Sequence, residues 1–155
     1  MTGARRTRNV RAVSTNAKDV AARVVTTVHE SIFRATKGRV LGSYGGMPVL
    51  VLTTTGRKSG KRRSTMLTSP LHDEHKVVLV ASYGGDDRHP AWYHNLVANP
   101  DVDVTMEGET RPMRARVASA EEKAQLWPQI VSTYKGYGGY QQRTERDIPV
   151  VILER

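Results

Sequence analysis

The chain reads as a mainly β (α+β) domain in which about six short, mostly antiparallel strands form a small barrel with three helices, rather than a doubly wound sheet. Three observations carry that reading. From Pro48 onward, short runs of β-branched and aliphatic residues are separated by turns rich in glycine, asparagine and aspartate. Strand patterns follow one another instead of alternating with helices as βαβ units do, and no dinucleotide fingerprint is present. The length of 155 residues, 38% apolar and 25% charged, suits one modest core in a single domain.

The elements follow in order. Residues 1–15 carry almost no large apolar side chain and are expected to form a disordered basic arm, leaving 16–155 as the domain. Between Lys18 and Thr36, Val20, Ala21, Val24, Val25, Val28, Ile32 and Phe33 recur at three- and four-residue steps, which predicts an amphipathic helix. Gly38, Gly42, Gly45 and Gly46 end it, and Val49 to Thr55 is the first strand. The polar segment GRKSGKRR turns the chain, Ser64 to Leu71 returns as a second strand, and Val77 to Ser82 follows as a third. Pro90 suits the first turn of a short helix, Ala91 to Ala98, which Asn99-Pro100 stops. A hairpin joins Val102–Met106 to Glu109–Val117 through Glu107-Gly108, with Met113, Ala115 and Val117 on a buried face and Arg114 and Arg116 on a wet one. Ser119 and Glu122 form a capping box for a helix from about Ala120 towards Tyr134, with Leu126, Trp127, Ile130 and Val131 inward. Ile148 to Leu153 is the closing strand.

Composition limits the chemistry. The absence of cysteine removes disulfides, thiolate metal sites and a thiol nucleophile, and it fits a reducing cytoplasmic compartment. No apolar stretch reaches the roughly 18–20 residues of a membrane span. The net charge of +9 is uneven: residues 1–63 hold 14 Lys/Arg against two Asp/Glu (+12), and residues 64–155 hold 10 against 13 (−3). A basic first third points to a nucleic acid, an acidic membrane surface, or a phosphorylated or polycarboxylate ligand. For Arg5, Arg6, Arg8 and Arg11 a solubilising tail is an equal alternative. With no recognition-helix motif and no aromatic RNA-binding signature, nucleic acid ranks last.

Three constellations can carry chemistry. In TTTGRKSGKRRST, Arg57, Lys58, Lys61, Arg62 and Arg63 fall within seven positions around Gly56 and Gly60, a pattern suited to phosphate or carboxylate although not a Walker loop. A solvated basic hairpin is the alternative. In SYGGDDRHPAWYHNLVANP a glycine loop delivers Trp92, Tyr93 and Asn95 at the start of a helix, where an indole can support a ring and an amide can fix its polar edge. Core packing of Trp92 is the alternative. In WPQIVSTYKGYGGY, Tyr134, Tyr137 and Tyr140 sit at three-residue spacing in what reads as a flexible glycine loop, either as proton-sharing phenols or as a packed lid. His72 and His75 lie on a polar turn and His89 and His94 are five apart across a proline, so surface histidines are expected and no metal site.

Taken together and in this order, TTTGRKSG with a following Arg63, the AS-x-GG loop with HPAWYHNL-x-ANP, and WPQ with Tyr134-x-x-Tyr137-x-x-Tyr140 closely resemble the deazaflavin-dependent nitroreductase family. The resemblance runs from about Gly38 to the closing IPVVILE. It implies a six-stranded split β-barrel, FMN-binding-like, that uses the 8-hydroxy-5-deazaflavin coenzyme F-420 in preference to FMN. Arg57, Lys58, Ser59, Gly60 and Arg63 would hold the phosphate and glutamate tail, and Ser82, Tyr83, Gly84, Gly85, Ala91, Trp92 and Asn95 would line the ring. Tyr134 and Tyr137 would face the hydride acceptor, a quinone, nitroaromatic or activated enone, while Tyr140 assists or closes the lid. Pairing of two copies and peripheral contact of the N-terminus with an anionic membrane are further expectations. Two positions depart from the family pattern: Tyr83 stands where lysine is common, and Ala91 where methionine often precedes the tryptophan. A carrier barrel for the same cofactor, haem or a fatty acid is the competing reading.

Overall fold

Between Met47 and Thr55 the side chains of Leu50, Leu52 and Thr54 alternate with those of Val49, Val51 and Thr53, and both sets are largely buried. A strand that is apolar on both faces must be covered on both sides. The computed structural model describes residues 43–155, and the expected arm, the N-terminal helix, Gly38 and Gly42 lie outside these residues. The described strands are β1 (Ser43–Tyr44), β2 (Met47–Thr55), β3 (Arg62–Thr68), β4 (Leu71–His72), β5 (Lys76–Val80), β6 (Asp101–Met106), β7 (Glu109–Val117) and β8 (Val150–Glu154). The helices are α1 (Ala91–Ala98), α2 (Ala120–Thr133) and α3 (Gly136–Gln142).

All pairings are antiparallel. β3 flanks β2, and β6, β7, β8, β5 and β4 follow in order on its other partner line, while β1 folds onto the start of β2 with Tyr44 opposite Met47. The described residues hold eight strands, not about six, because two are only two residues long. One of these comes from a break in the expected Ser64–Leu71 strand. Pro70 has no N–H to give a ladder, and the chain turns at Ser69, which is almost fully buried. The Ser69 N–H donates to the Pro48 carbonyl at 3.1 Å, and its hydroxyl is 2.8 Å from both the Val78 and Leu71 carbonyls. One serine thus ties the start of β2 to β5 and curls the sheet into a split barrel.

Inside the barrel, Leu50, Leu52, Val77, Leu79, Val102, Val104, Met113, Ala115, Val151 and Leu153 form one cluster with Trp92 and Leu96 of α1. The intervening residues Val78, Val80 and Val150 face outward onto a second cluster built with Ile130 of α2, Tyr137 of α3 and Ile148. Val117, expected on the buried face of β7, is instead 42% exposed. The strand ends there, and it is Ala118 that packs against the helix-covered cluster.

The capping box forms: Ser119 Oγ accepts the Glu122 N–H at 3.2 Å and the Glu122 carboxylate accepts the Ser119 N–H at 2.8 Å. The segment expected to be a flexible glycine loop is a helix. Three glycines in seven residues oppose it by propensity, but here their missing side chains permit close approach. A Cβ on Gly138 would lie 3.5 Å from Val131 of α2, and one on Gly136 would lie 2.3 Å from the Tyr134 ring.

The Arg116 guanidinium bridges Glu122 at 2.8 Å and Glu154 at 3.1 Å, and with the Ser119 N–H it lowers the Glu122 carboxyl to about 2. A carboxyl whose pKa is depressed by folding stabilises the protein above its unfolded value and loses that contribution as pH falls through the folded one. Thermal melts of Glu122→Gln, which keeps a capping acceptor, are therefore expected to fall below the native chain at pH 6 and to converge with it as pH drops from about 4.5 towards 2. Ser119→Ala is expected to cost about 1 kcal/mol at either pH, through the lost cap.

Candidate active site

The basic turn between β2 and β3 is closed by its own backbone: the Gly56 N–H donates to the Lys61 carbonyl at 2.7 Å, and the Gly60 N–H to the Gly56 carbonyl at 2.8 Å. Gly60 is left-handed, at φ +68°, and a Cβ on Gly56 would lie 2.6 Å from Ser59 Oγ, so both glycines are needed for this shape. Asn95 of α1 fixes the turn from outside. Its Oδ1 accepts the Arg57 N–H at 3.1 Å and its Nδ2 donates to Thr54 Oγ1 at 3.2 Å, with Asn95 and Thr54 both buried.

Charge on this turn is sorted by strand alternation. Arg62 reaches across the sheet to Asp103 on β6 and to Thr55, whereas Arg63 points the other way. Among the described residues no carboxylate pairs with Arg57, Lys58, Lys61 or Arg63. Arg57, Lys58, Ser59 and Arg63 all open onto one cavity of about 990 Å³, a size suited to a large organic cofactor with a second small molecule beside it.

The far wall comes from the loop between β5 and α1. Ser82, Tyr83 and Gly84 line the cavity, followed by Ala91, Trp92 and Asn95 of α1. Tyr83, Gly84 and Gly85 all have positive φ, at 46°, 65° and 84°. In a tyrosine that conformation is strained. Trp92 is both a member of the barrel core and a cavity wall, so core packing does not remove it from the cavity. Gly60 and Gly85 lie outside the lining. A Cβ on Gly85 would sit 2.7 Å from the Tyr140 carbonyl, so this glycine sets how closely the loop rests on α3.

Tyr134, Tyr137 and Tyr140 form the third wall, with ring centroids 5.4 to 6.5 Å apart. Tyr137 is 6% exposed and its hydroxyl is 3.2 Å from Thr68 Oγ1 on β3. Burial pushes its phenol up, and hydrogen bonding to Tyr140 pushes Tyr134 up. Both stay protonated at neutral pH. Tyr44 adds a fourth ring, 6.4 Å from Tyr134.

Sequence reasoning missed Tyr44, Thr68 and Arg146. Tyr44 had a local signal, an aromatic residue isolated among glycines, and Thr68 ends a run, 63–68, in which every residue borders the cavity. Arg146 had none, since its partners lie 57 to 65 residues away. His89 and His94, expected at the surface, are half-buried with rings 5.7 Å apart, and burial lowers both below the usual imidazole value. Arg146 reaches His89, whose ring lies tilted against Tyr93 at 4.7 Å. Among the described residues no three potential ligands gather around a metal site, and no helix is long and apolar enough to cross a membrane.

Comparison with known proteins matches these features to one group. A family model described as F420H(2)-dependent quinone reductase matches residues 23–155. The F420H(2)-dependent quinone reductase of Mycobacterium tuberculosis is 42% identical over 133 residues, covering 83% of this chain and 88% of that protein. Among solved structures, an F420-H2 dependent reductase is 42% identical with a TM-score of 0.63, covering 69% of this chain and 94% of the other. A second, described as a domain-swapped dimer, is 38% identical with a TM-score of 0.64, covering 83% and 97%. With 133 matched residues and the same split barrel, the chain belongs to the F420H(2)-dependent quinone reductase family.

Proposed function

We propose that this chain binds reduced coenzyme F-420 with its acidic tail on the basic turn, and transfers a hydride to a quinone held at the tyrosine wall. The observation that carries this reading is that unpaired cations and protonated phenols open onto the same cavity, at different walls of it. The residues fit the cofactor on this chain's own geometry. A glycine turn with uncompensated positive charge selects an anion, and an apolar wall of Trp92 and Ala91 accepts a flat ring.

When bound, the reduced deazaflavin supplies a hydride, an obligate two-electron transfer. The protein's part is orientation and proton supply. Arg57, Lys58 and Arg63 hold the tail by charge-assisted hydrogen bonds, and Asn95 keeps their turn at the cavity wall. Ser82, Tyr83 and Gly84, with Trp92, would line the ring. Tyr134 and Tyr137, both protonated, donate hydrogen bonds to the acceptor's carbonyl oxygen, and one of them delivers its proton as negative charge builds there. Thr68 orients the Tyr137 hydroxyl and Tyr140 that of Tyr134.

Fluorescence titration with oxidised F-420 and with FMN tests the cofactor, with tight preference for F-420 expected. Replacing Arg57, Lys58 and Arg63 together by alanine is expected to weaken F-420 binding by on the order of a hundredfold, the effect of losing two or more charge-assisted contacts. Unchanged affinity would remove the basis of the proposal. Tyr137→Phe is expected to keep cofactor affinity and to lower the rate of hydride transfer to a quinone by about a hundredfold. A carrier barrel would retain F-420 equally well in both chains and turn over in neither.

A further inference from the structure

The loop from Ala81 to His89 carries Ser82, Tyr83 and Gly84 to the cavity wall, yet its own backbone scarcely supports it. Within it the backbone–backbone bonds are Gly85 N–H to Ser82 carbonyl and Asp86 N–H to Tyr83 carbonyl, the latter spanning three residues at positive φ, and the Asp86 carboxylate accepts the Arg88 N–H at 2.8 Å. Such a path needs support from elsewhere.

That support comes from the segment before β8, where Thr144 Oγ1 donates to Asp87 Oδ1 at 2.8 Å and one guanidinium makes most of the contacts. Arg146 donates from Nη2 to the Ala81 carbonyl at 3.1 Å and the Ser82 carbonyl at 2.8 Å, from Nε to the Asp86 carbonyl at 2.7 Å, and from Nη1 to His89 Nδ1 at 3.0 Å. These partners span the loop from its departure from β5 to the residue before Pro90. The contacts suit arginine alone, since a planar fork satisfies four acceptors where an ammonium has three freely rotating donors. His89 must accept at Nδ1, so its ring is neutral with the proton on Nε2.

The same segment is tied to the tyrosine helix. Gln141 of α3 donates from Nε2 to the Arg146 carbonyl at 2.8 Å and accepts the Ile148 N–H at 3.0 Å. Arg143, also following α3, donates to the Gly84 carbonyl at 3.3 Å.

We propose that Arg146 is a positioning residue for the reductase: it holds the cofactor-facing loop in its left-handed path and sets that loop's distance from the tyrosine wall. The part of this inference that concerns cofactor binding rests on the F-420 reading above; the mechanical part does not. Arg146→Lys and Arg146→Ala are the variants, measured as full-length protein by hydrogen exchange without cofactor and by F-420 fluorescence titration.

The expected result is faster amide exchange confined to residues 81–89 in Arg146→Lys, with exchange in β2, β6 and β8 unchanged. F-420 affinity is expected to fall about tenfold, as when the binding-competent loop conformation drops to a tenth of the population. Millimolar ethylguanidinium is expected to restore part of that affinity in Arg146→Ala, which a general loss of stability would not allow. Native exchange across 81–89 in Arg146→Lys overturns the proposal, as does loop-specific exchange accompanied by native F-420 affinity. A native chain that binds no F-420 would defeat the cofactor assignment instead, while the exchange data would still decide whether Arg146 holds the loop.

Discussion

An amide on a helix facing a charged turn is the interaction on which the site depends. Five cations within seven residues repel one another and, left to solvent, would sample many conformations. Asn95 removes that freedom by accepting the Arg57 N–H while its own amide is fixed on Thr54 inside the barrel wall. It acts on the backbone, so the Arg57 side chain stays available. The sheet does the rest of the sorting, because Arg62 is neutralised by Asp103 on one side and Arg63 is delivered unpaired to the other. Without that division, the turn would be only a solvated basic hairpin.

From this anchor the cavity is assembled by segments far apart in the chain. The β2–β3 turn meets α1, 38 residues away, and the loop before α1 meets Arg146. β3 contributes an edge whose Thr68 orients a phenol on α3. Each of these pairings depends on the barrel closing, and Ser69 is where β2 and β5 are joined. Barrel closure, the basic turn and the tyrosine wall are therefore linked through β3, which carries both Arg63 and Thr68.

What the sequence disclosed follows from the range of the forces involved. The apolar run of β2, the alternation of Met113 and Ala115 with Arg114 and Arg116 in β7, the Ser119–Glu122 cap, the Pro90 start of α1 and the Glu107-Gly108 hairpin are set by neighbours within a few residues and were legible, whereas the exposure of Val117 at the strand end was not. Charge density on the basic turn was legible too, but which cations stay unpaired was not, since Asp103 lies 41 residues from Arg62. The α3 helix was read as a loop because its glycines argue locally against helix, whereas its stability comes from packing against Val131 and Tyr134. Arg146 left no trace in any pattern, being a single charged residue whose guanidinium bonds mainly to backbone carbonyls. Carbonyls carry no sequence signature.

The arrangement also separates affinity from selectivity. In the proposed reading, attraction to an anionic tail resides in Arg57, Lys58 and Arg63, which touch none of the tyrosines in the contacts described. The proposed acceptor end comprises Tyr134, Tyr137 and Tyr140, with Thr68 hydrogen-bonded to Tyr137 and Tyr44 beside Tyr134. Ala91 and Tyr83 stand between the two, one leaving room beside Trp92 and the other held half-exposed in a strained conformation next to Arg88. Residues at this junction can alter the shape offered to the acceptor without weakening the ionic anchor. On the proposed reading, then, retention of the cofactor constrains the turn, and the choice of acceptor is free to vary at the tyrosine wall.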